Sequence, residues 1–294
     1  MSHVDQSAPP TVTPTKRRVP ATRERSNWKV TLLLVACSLT VLLPLYLAVS
    51  MSLKTDAEAR TGSGFSLPGS LNFDNFARAW ELTDIPRAAT ISILIAVVSV
   101  VGALVVCSMA AYAIVRNWDR KVFRYSYFYL LAAMFIPFPV VALPQVKLTA
   151  VLGLDGPVGV GLLHVLFGMS FNILLYTAFL RSVPYELEES ARIDGCSTWQ
   201  TFWRLIFPLL APMNATVGIF AFLASWNDYM MPAIITADPS MQSLPVVQQL
   251  FQNELSINYN VAFASYLMAM APTLIVYLFA QRWVMSGVTQ GAIK

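Results

Sequence analysis

Six stretches of this chain run for more than twenty residues without a single Asp, Glu, Lys or Arg: 30–53, 88–115, 125–146, 156–180, 205–227 and 255–281. A helix rising about 1.5 Å per residue needs about 20 apolar residues to cross about 30 Å of hydrocarbon, and every one of these runs is long enough. A spanning segment must satisfy its own backbone groups, so the runs are expected to be helices. The fold class that follows is an all-α integral membrane protein with six transmembrane helices, over about 30–51, 88–115, 125–147, 157–180, 205–227 and 259–282. Composition closes the alternative. Only 12% of the 294 residues are charged and 56% are hydrophobic, about half the charge density of an ordinary soluble domain. The residues outside the runs are too few to bury six apolar helices in a soluble globule, so a soluble enzyme is excluded.

Basic residues set the orientation, because Lys and Arg accumulate in the cytoplasmic connections. With the N-terminus inside, fifteen of the twenty Lys and Arg fall on the cytoplasmic side. They cluster in the N-terminal segment (Lys16, Arg17, Arg18, Arg23, Arg25, Lys29) and in the second connection (Arg116, Arg120, Lys121, Arg124). The other side holds five: Lys54, Arg60, Arg78, Arg87 and Lys147. Both termini are therefore expected in the cytoplasm. Residues 1–29, rich in Pro, Thr and Arg and without apolar periodicity, read as a flexible basic tail beside the anionic leaflet, and 30–294 as the membrane domain. Ala48-Val49-Ser50 loosely resembles a cleavage site, but an 18-residue apolar segment exceeds the usual 7–15 of a signal peptide, so the first span is read as retained.

The spans offer little to drive chemistry. Ion-coupled carriers place titratable groups at mid-membrane; here the one such side chain is His164, read as a packing residue before a proton relay. None of the six lysines follows a glycine, so no phosphate-binding loop is encoded. Cys37, Cys107 and Cys196 imply neither a disulfide nor a metal centre, and nothing points to a nucleic-acid partner. Prolines interrupt the third run (Pro137, Pro139, Pro144), the fifth (Pro208, Pro212) and the sixth (Pro272). Each frees a carbonyl that must be satisfied by protein or by water in a cavity, so such helices either line a pathway or kink for packing. Asn172, Asn214, Thr216 and Gln145 are polar groups that fit a pathway or interhelical hydrogen bonds, and Ala103, Cys107 and Ala111, spaced by four, suit close helix contact.

The fourth connection, 181–208, is different. Ser182 is placed to cap a short helix, Pro184 suits its first turn, and Glu186, Glu188 and Glu189 favour the positive end of the helix dipole. Gly195 stops that helix. A second start follows at Ser197 or Thr198, with Trp199, Phe202, Trp203 and Ile206 at helical spacing. The pattern is a helix–Gly–helix elbow on the cytoplasmic surface. Ser190 and Ala191 give it a small face for close approach to a partner, and Glu189 is available to a basic group there.

At these residues the chain resembles the permease subunits of bacterial ABC importers, whose EAA loop reads Glu-Ala-Ala, three residues, Gly, nine residues, Ile, one residue, Leu-Pro. Glu189-Ser190-Ala191, Gly195, Leu205 and Phe207-Pro208 keep every spacing, with Ser190, Leu205 and Phe207 as departures of similar size or apolarity. Ser52-Leu53-Lys54, Leu71 to Phe76, Trp226-Asn227-Asp228 and Gly287 to Lys294 are similar to the MalG-like carbohydrate permeases.

The resemblance implies a multi-pass permease of the bacterial inner membrane that translocates a di- or oligosaccharide or related solute. Its implied partners are a second permease subunit, two ATPase subunits and an extracytoplasmic solute-binding protein, within the lipid bilayer. ATP and Mg would belong to the ATPases, leaving this chain without cofactor, metal site or catalytic residue. Coupling to the ATPases is implied for Glu186, Glu188, Glu189, Ser190, Ala191, Asp194, Gly195 and Pro208, with 186–194 as the coupling helix. Asn172, Asn214, Trp226 and Asn227 are the candidate sugar contacts, and the outer loop 228–254 a candidate surface for the binding protein. A stand-alone secondary carrier for a small polar solute is the competing reading, and a membrane scaffold the third; the first lacks mid-membrane charges and the second has no need of broken helices.

Overall fold

The computed structural model describes residues 28–249, 251 and 258–292; most of the tail 1–29 and the last two residues lie outside them. Every described element is helical. The chain divides into two compact units at Pro44. In the first, helix α1 (Trp28–Ser52) begins, with Leu32, Leu33, Leu34, Leu39 and Val41 exposed as a lipid-facing surface requires. Two of its hydroxyls bond back within the helix: Ser38 Oγ donates to Leu34 O at 2.9 Å and Thr40 Oγ1 to Cys37 O at 2.7 Å.

The second unit, from Leu45 onward, contains the end of α1 and the remaining helices. Short helices α2 (Asp56–Thr61) and α3 (Asp74–Leu82) lead to α4 (Ile85–Gly102), which continues through a π-helical turn (Ala103–Cys107) into α5 (Ser108–Arg116). Helices α6 (Lys121–Ala133), α7 (Phe138–Leu152) and α8 (Pro157–Leu180) follow. Then come the elbow helices α9 (Glu186–Ile193), α10 (Thr198–Thr201) and α11 (Phe207–Leu209), the last two joined by a second π-helical turn (Phe202–Ile206). Helix α12 (Ala211–Trp226) leads to α13 (Met230–Ile235), α14 (Leu244–Gln248) and the long α15 (Tyr259–Ala292).

Four continuous stretches are long and apolar enough to cross a membrane: Trp28–Ser52, Ile85–Arg116, Pro157–Leu180 and Tyr259–Phe279. Counting each of two bent pairs as one span makes six. The third charge-free run, which its prolines were expected to interrupt, is one of these pairs: α6 and α7 meet at 105°. The break has a local cause. Pro137 lacks a donor and disfavours helix at Ile136, so the amides of Met134, Phe135 and Ile136 close tight bonds of about 3.1–3.2 Å three residues back. In the fifth run, α10–α11 and α12 are bent by 77°. Residues 205–209 of the expected span thus lie before the bend and 211–226 after it, in α12.

Helix α8 is the centre of the bundle, packed by α4, α5 and α12. Tyr176, Ile173 and Leu180 are fully buried there with Cys107, Ala111, Ile206 and Val217. Close approach rests on small residues, as helix contacts in membranes generally do. A Cβ on Gly161 would lie 2.7 Å from Val98 Cβ, and one on Gly102 2.5 Å from a Val165 methyl, so α4 and α8 each present a gap that the other fills. Ala103, Cys107 and Ala111 are buried in this contact, as their spacing suggested. The π-helical turn over the first two of them carried no sequence signal.

At the end of the bundle opposite the elbow, a polar knot ties the chain segments flanking α2 and α3 to α15. Asn75 Nδ2 donates to Ser52 O and Lys54 O, both at 2.8 Å. Asn260 Nδ2 reaches Asn75 Oδ1 at 2.8 Å and Asp56 Oδ1 at 2.7 Å. Lys54 is buried, its ammonium donating to Ser63 O at 2.7 Å and Ser66 Oγ at 3.1 Å. The Asn260 hydrogen bond, then the Arg78 guanidinium 3.2 Å away, holds the Asp56 carboxyl below its ordinary pKa. Ser52, Lys54 and Asn75, which carry part of the family resemblance, thus fix one end of the bundle.

Candidate functional site

The elbow is built by two capping motifs back to back. Gly195 has φ +83°, a conformation that side chains with a Cβ resist. Around it Cys196 N donates to Ala191 O and Gly195 N to Arg192 O, both at 3.0 Å, the paired bonds of a Schellman C-terminus. Two residues later Ser197 opens α10 with a capping box: its Oγ accepts from Gln200 N at 3.3 Å, and its own N–H donates to Gln200 Oε1 at 2.9 Å. Helix, reversal and helix run over Glu186–Thr201, within the 181–208 connection where the sequence placed them. The first helix starts later than its sequence signals suggested: Ser182 Oγ donates back to Phe179 O at 2.7 Å, so it closes α8 and does not cap α9.

Of the three glutamates in the first turn of α9, the structure separates one from the others. Glu188 is fully buried. Its Oε1 accepts from Arg116 Nε at 2.6 Å and its Oε2 from the Tyr112 hydroxyl at 2.7 Å. Both donors lie on α5, one turn apart, so Glu188 joins the elbow to the end of the Ile85–Arg116 stretch. Arg116 is held in turn by Val183 O at 3.4 Å and lies 5.6 Å from the centre of the Tyr185 ring. Arg192 approaches the same ring and donates to the Tyr185 hydroxyl at 2.9 Å.

Glu186, Glu189, Ser190 and Asp194 face outward, with Leu187 and Ile193 exposed beside them. The Ser190 hydroxyl donates to Glu186 O at 2.9 Å, so this departure from alanine adds no outward-pointing donor. Ala191 is half-buried and accepts the Schellman bond. Phe202 anchors the second limb: it is buried, with Tyr112 at 5.3 Å and Trp203 at 5.0 Å between ring centres. Trp199, at the same helical spacing, is 60% exposed and packs edge-on against Trp203 with 5.7 Å between ring centres. Pro208 sits in α11, exposed, just before the 77° bend. A cavity of about 510 Å³ lies between α5 and the elbow, bounded by Tyr112, Asn117, Arg192 and Trp199.

The four candidate sugar contacts are not brought together. Asn214 braces the bend: its Oδ1 accepts from the Tyr176 hydroxyl at 2.8 Å and its Nδ2 donates to Phe207 O at 3.2 Å. Asn172 lines a cavity of about 250 Å³ among α4, α8 and α12 with Ser99, His164, Phe171 and Phe220. His164 is not alone, since its Nε2 lies 3.4 Å from Asp228 Oδ2. Asp228 Oδ1 also accepts from Met230 N at 3.0 Å, at the start of α13. Trp226 and Asn227 line a third hollow, of about 200 Å³, with α14 and α15. Of the loop 228–254, residues 250 and 252–254 lie outside the described residues; in the rest Leu244, Val246 and Val247 are buried and Leu244 N donates to Ser92 Oγ at 2.8 Å. Among the described residues no three His, Cys, Asp or Glu side chains gather as metal ligands would.

Arg116 and Tyr112 were missed by sequence reasoning. Arg116 counted there only toward orientation, and nothing local distinguishes Glu188 from its two neighbours. Their i, i+4 spacing at the end of an apolar run, facing an acidic turn, was the available signal.

A bundle of long apolar helices with bent pairs and an acidic elbow at one end defines the class: an all-helical membrane protein with four to six candidate spans. The model of the family described as binding-protein-dependent transport system inner membrane component matches residues 102–290. The chain is 34% identical over 271 residues to the multiple sugar-binding transport system permease protein MsmG of Streptococcus mutans, covering 91% of this chain and 96% of MsmG. It is 31% identical to the probable starch degradation products transport system permease protein AmyC of Thermoanaerobacterium thermosulfurigenes, covering 91% and 97%. Its fold matches a chain of a bacterial ABC transporter involved in the import of the acidic polysaccharide alginate, with TM-score 0.75 at 24% identity, over 87% of this chain and 95% of that one. The chain belongs to the binding-protein-dependent transport family: it is a multi-pass inner-membrane permease subunit, the non-catalytic membrane component of an ABC importer.

Proposed function

We propose that this chain carries an oligosaccharide or related carbohydrate across the membrane as one of two permease subunits. Two ATPase subunits, which hold the ATP and Mg, drive it from the cytoplasm, and an extracytoplasmic binding protein delivers the sugar. The multiple sugar-binding transport system of MsmG and the starch degradation products transport system of AmyC support the substrate class. Both termini lie in the cytoplasm, residues 1–29 form a basic tail, and the bent pairs each complete a span within 30–294, giving six. The fifteen-to-five division of basic residues favours this arrangement.

In this reading α9 is the coupling helix. Glu186, Glu189, Ser190 and Asp194 present its partner face, Ala191 and Gly195 set the reversal, and Pro208 ends the elbow at the bend. Glu188 faces the other way and carries displacement of α9 into α5 and α4. The observation that bears most weight is this division of labour within one helical turn: exposed carboxylates toward solvent, one buried carboxylate locked into the bundle. Movement of the elbow would then tilt α4–α5 and α12 between inward-open and outward-open states. Co-purification tests it. The importer assembled on Glu189→Lys should lose its ATPase subunits, whereas full retention would remove α9 as the docking element.

A further inference from the structure

The hollow at the non-elbow end of α12 has the lining of a sugar site. Trp226 forms one wall, buried and stacked on Phe222 with 5.5 Å between ring centres and 20° between planes, its Nε1 committed to Ala269 O at 3.2 Å. Tyr266 of α15 lines the same space. Two amides border it, each with its nitrogen already used: Asn227 Nδ2 donates to Leu223 O at 2.8 Å and Gln248 Nε2 to Ser265 O at 3.1 Å. Their carbonyl oxygens take no hydrogen bond among the described residues. Thr273 lines it too, its hydroxyl oxygen buried and without a partner among the described residues. An aromatic wall with two amide acceptors and an unpaired hydroxyl is the donor and acceptor set that sugar hydroxyls and C–H faces require. A buried hydroxyl left unpaired costs about 1–3 kcal/mol, which a ligand hydroxyl would relieve.

Volume narrows the ligand. About 200 Å³ is below the roughly 300–1,000 Å³ of pockets that enclose a whole drug-sized molecule, and suits one sugar ring. Among the described residues no charged side chain lines the hollow, so a neutral ring fits better than an acidic one. We infer that this hollow is a receiving subsite that holds one neutral ring of the oligosaccharide as it leaves the binding protein. The inference rests on the proposed function and adds to it a place and a chemistry: Tyr266, Gln248 and Thr273 join Trp226 and Asn227, while Asn172 and Asn214 are left out.

The test uses the complete importer with its ATPases and binding protein in proteoliposomes. In a chain with Cys37, Cys107 and Cys196 replaced by serine, Asn227→Cys and Gln248→Cys are labelled separately with a small methanethiosulfonate. Labelling is repeated with maltotriose, raffinose, chitotriose or arabinotriose, and uptake of each trisaccharide is measured alongside. A transported trisaccharide, held near ten times its half-saturating concentration, should slow labelling at both positions about tenfold. Thr61→Cys, on the exposed surface of α2, should label at an unchanged rate. Tyr266→Leu should lower the rate of uptake and Tyr266→Phe restore it, since stacking needs the ring and not the hydroxyl. Unchanged labelling by a trisaccharide that the same vesicles import would overturn the subsite alone. Uptake of none of the four would overturn the oligosaccharide reading, and the subsite with it.

Discussion

Truncating Glu188 to alanine removes the carboxylate that joins α9 to α5, and the structure sets the size of the effect. The pair is short, 2.6 Å from Arg116 Nε to Glu188 Oε1, with the glutamate inaccessible and the arginine side chain 13% exposed. At an effective dielectric of about 20 the gross attraction is about 6 kcal/mol, most of it cancelled by desolvation of two charges. The cost of truncation is set by what remains: a largely buried guanidinium without its counter-charge, at about 3–5 kcal/mol, and a Tyr112 hydroxyl without an acceptor. Val183 O and the Tyr185 ring still hold Arg116, which places the expected loss near the bottom of that range, about 3 kcal/mol. At 1.4 kcal/mol per factor of ten this is about two decades in the ratio of docked to undocked elbow.

Hydrogen exchange reads that ratio directly. Amide protection over 186–196 should fall about a hundredfold in Glu188→Ala, while α8 keeps its protection. Arg116→Met combined with Glu188→Leu should recover most of it, because a buried ion pair replaced on both sides by apolar groups leaves no orphaned charge. Protection within threefold of the native chain in Glu188→Ala would refute the claim that this carboxylate anchors the elbow.

Gly195→Val forces a β-branched residue to φ +83°; with no atom within 4 Å of the added Cβ, the cost is backbone strain of at least about 1–2 kcal/mol. It should raise the ATP hydrolysed per solute imported, and a normal ratio would show that the angle between α9 and α10 is not needed. Gly102→Ala should lower thermal stability by about 1–3 kcal/mol through overpacking against a Val165 methyl, and Val165→Ala in the same chain, which removes that methyl, should restore part of it; melting of the purified protein decides. Because the Asp56 pKa is lowered in the fold, its contribution is present above the ordinary aspartate pKa of about 3.9 and disappears as pH falls through the lower, folded value. Asp56→Asn should therefore melt below the native chain at pH 7 and approach it as pH drops under about 4; a gap independent of pH would mean the charge plays no part.

Much of the elbow was legible because its signals are local. Gly195, Ser197 and the acidic first turn act within a few residues, and capping geometry depends on little else. The apolar runs were equally plain, since a bilayer imposes one length on every span. What escaped the sequence is long-range or steric. The choice of Glu188 over Glu186 and Glu189 depends on α5, some seventy residues earlier, and the pairing of His164 with Asp228 on how α8 meets the end of α12. The 105° turn between α6 and α7 was hinted at by Pro137, but a proline in an apolar run is compatible with a kink or a reversal, and packing decides. The sugar candidates scattered because Asn, with equal capacity to brace a helix bend or line a cavity, carries no label for either.

The central claim is that this subunit has no energy source of its own and is moved through its elbow. The direct measurement is solute accumulation in proteoliposomes holding the two permease subunits and supplied with loaded binding protein, with and without the ATPase subunits and ATP. Accumulation against a gradient should occur with the ATPases and ATP and vanish when either is left out. Uphill uptake by the permease pair alone, driven by a proton or sodium gradient, would contradict it.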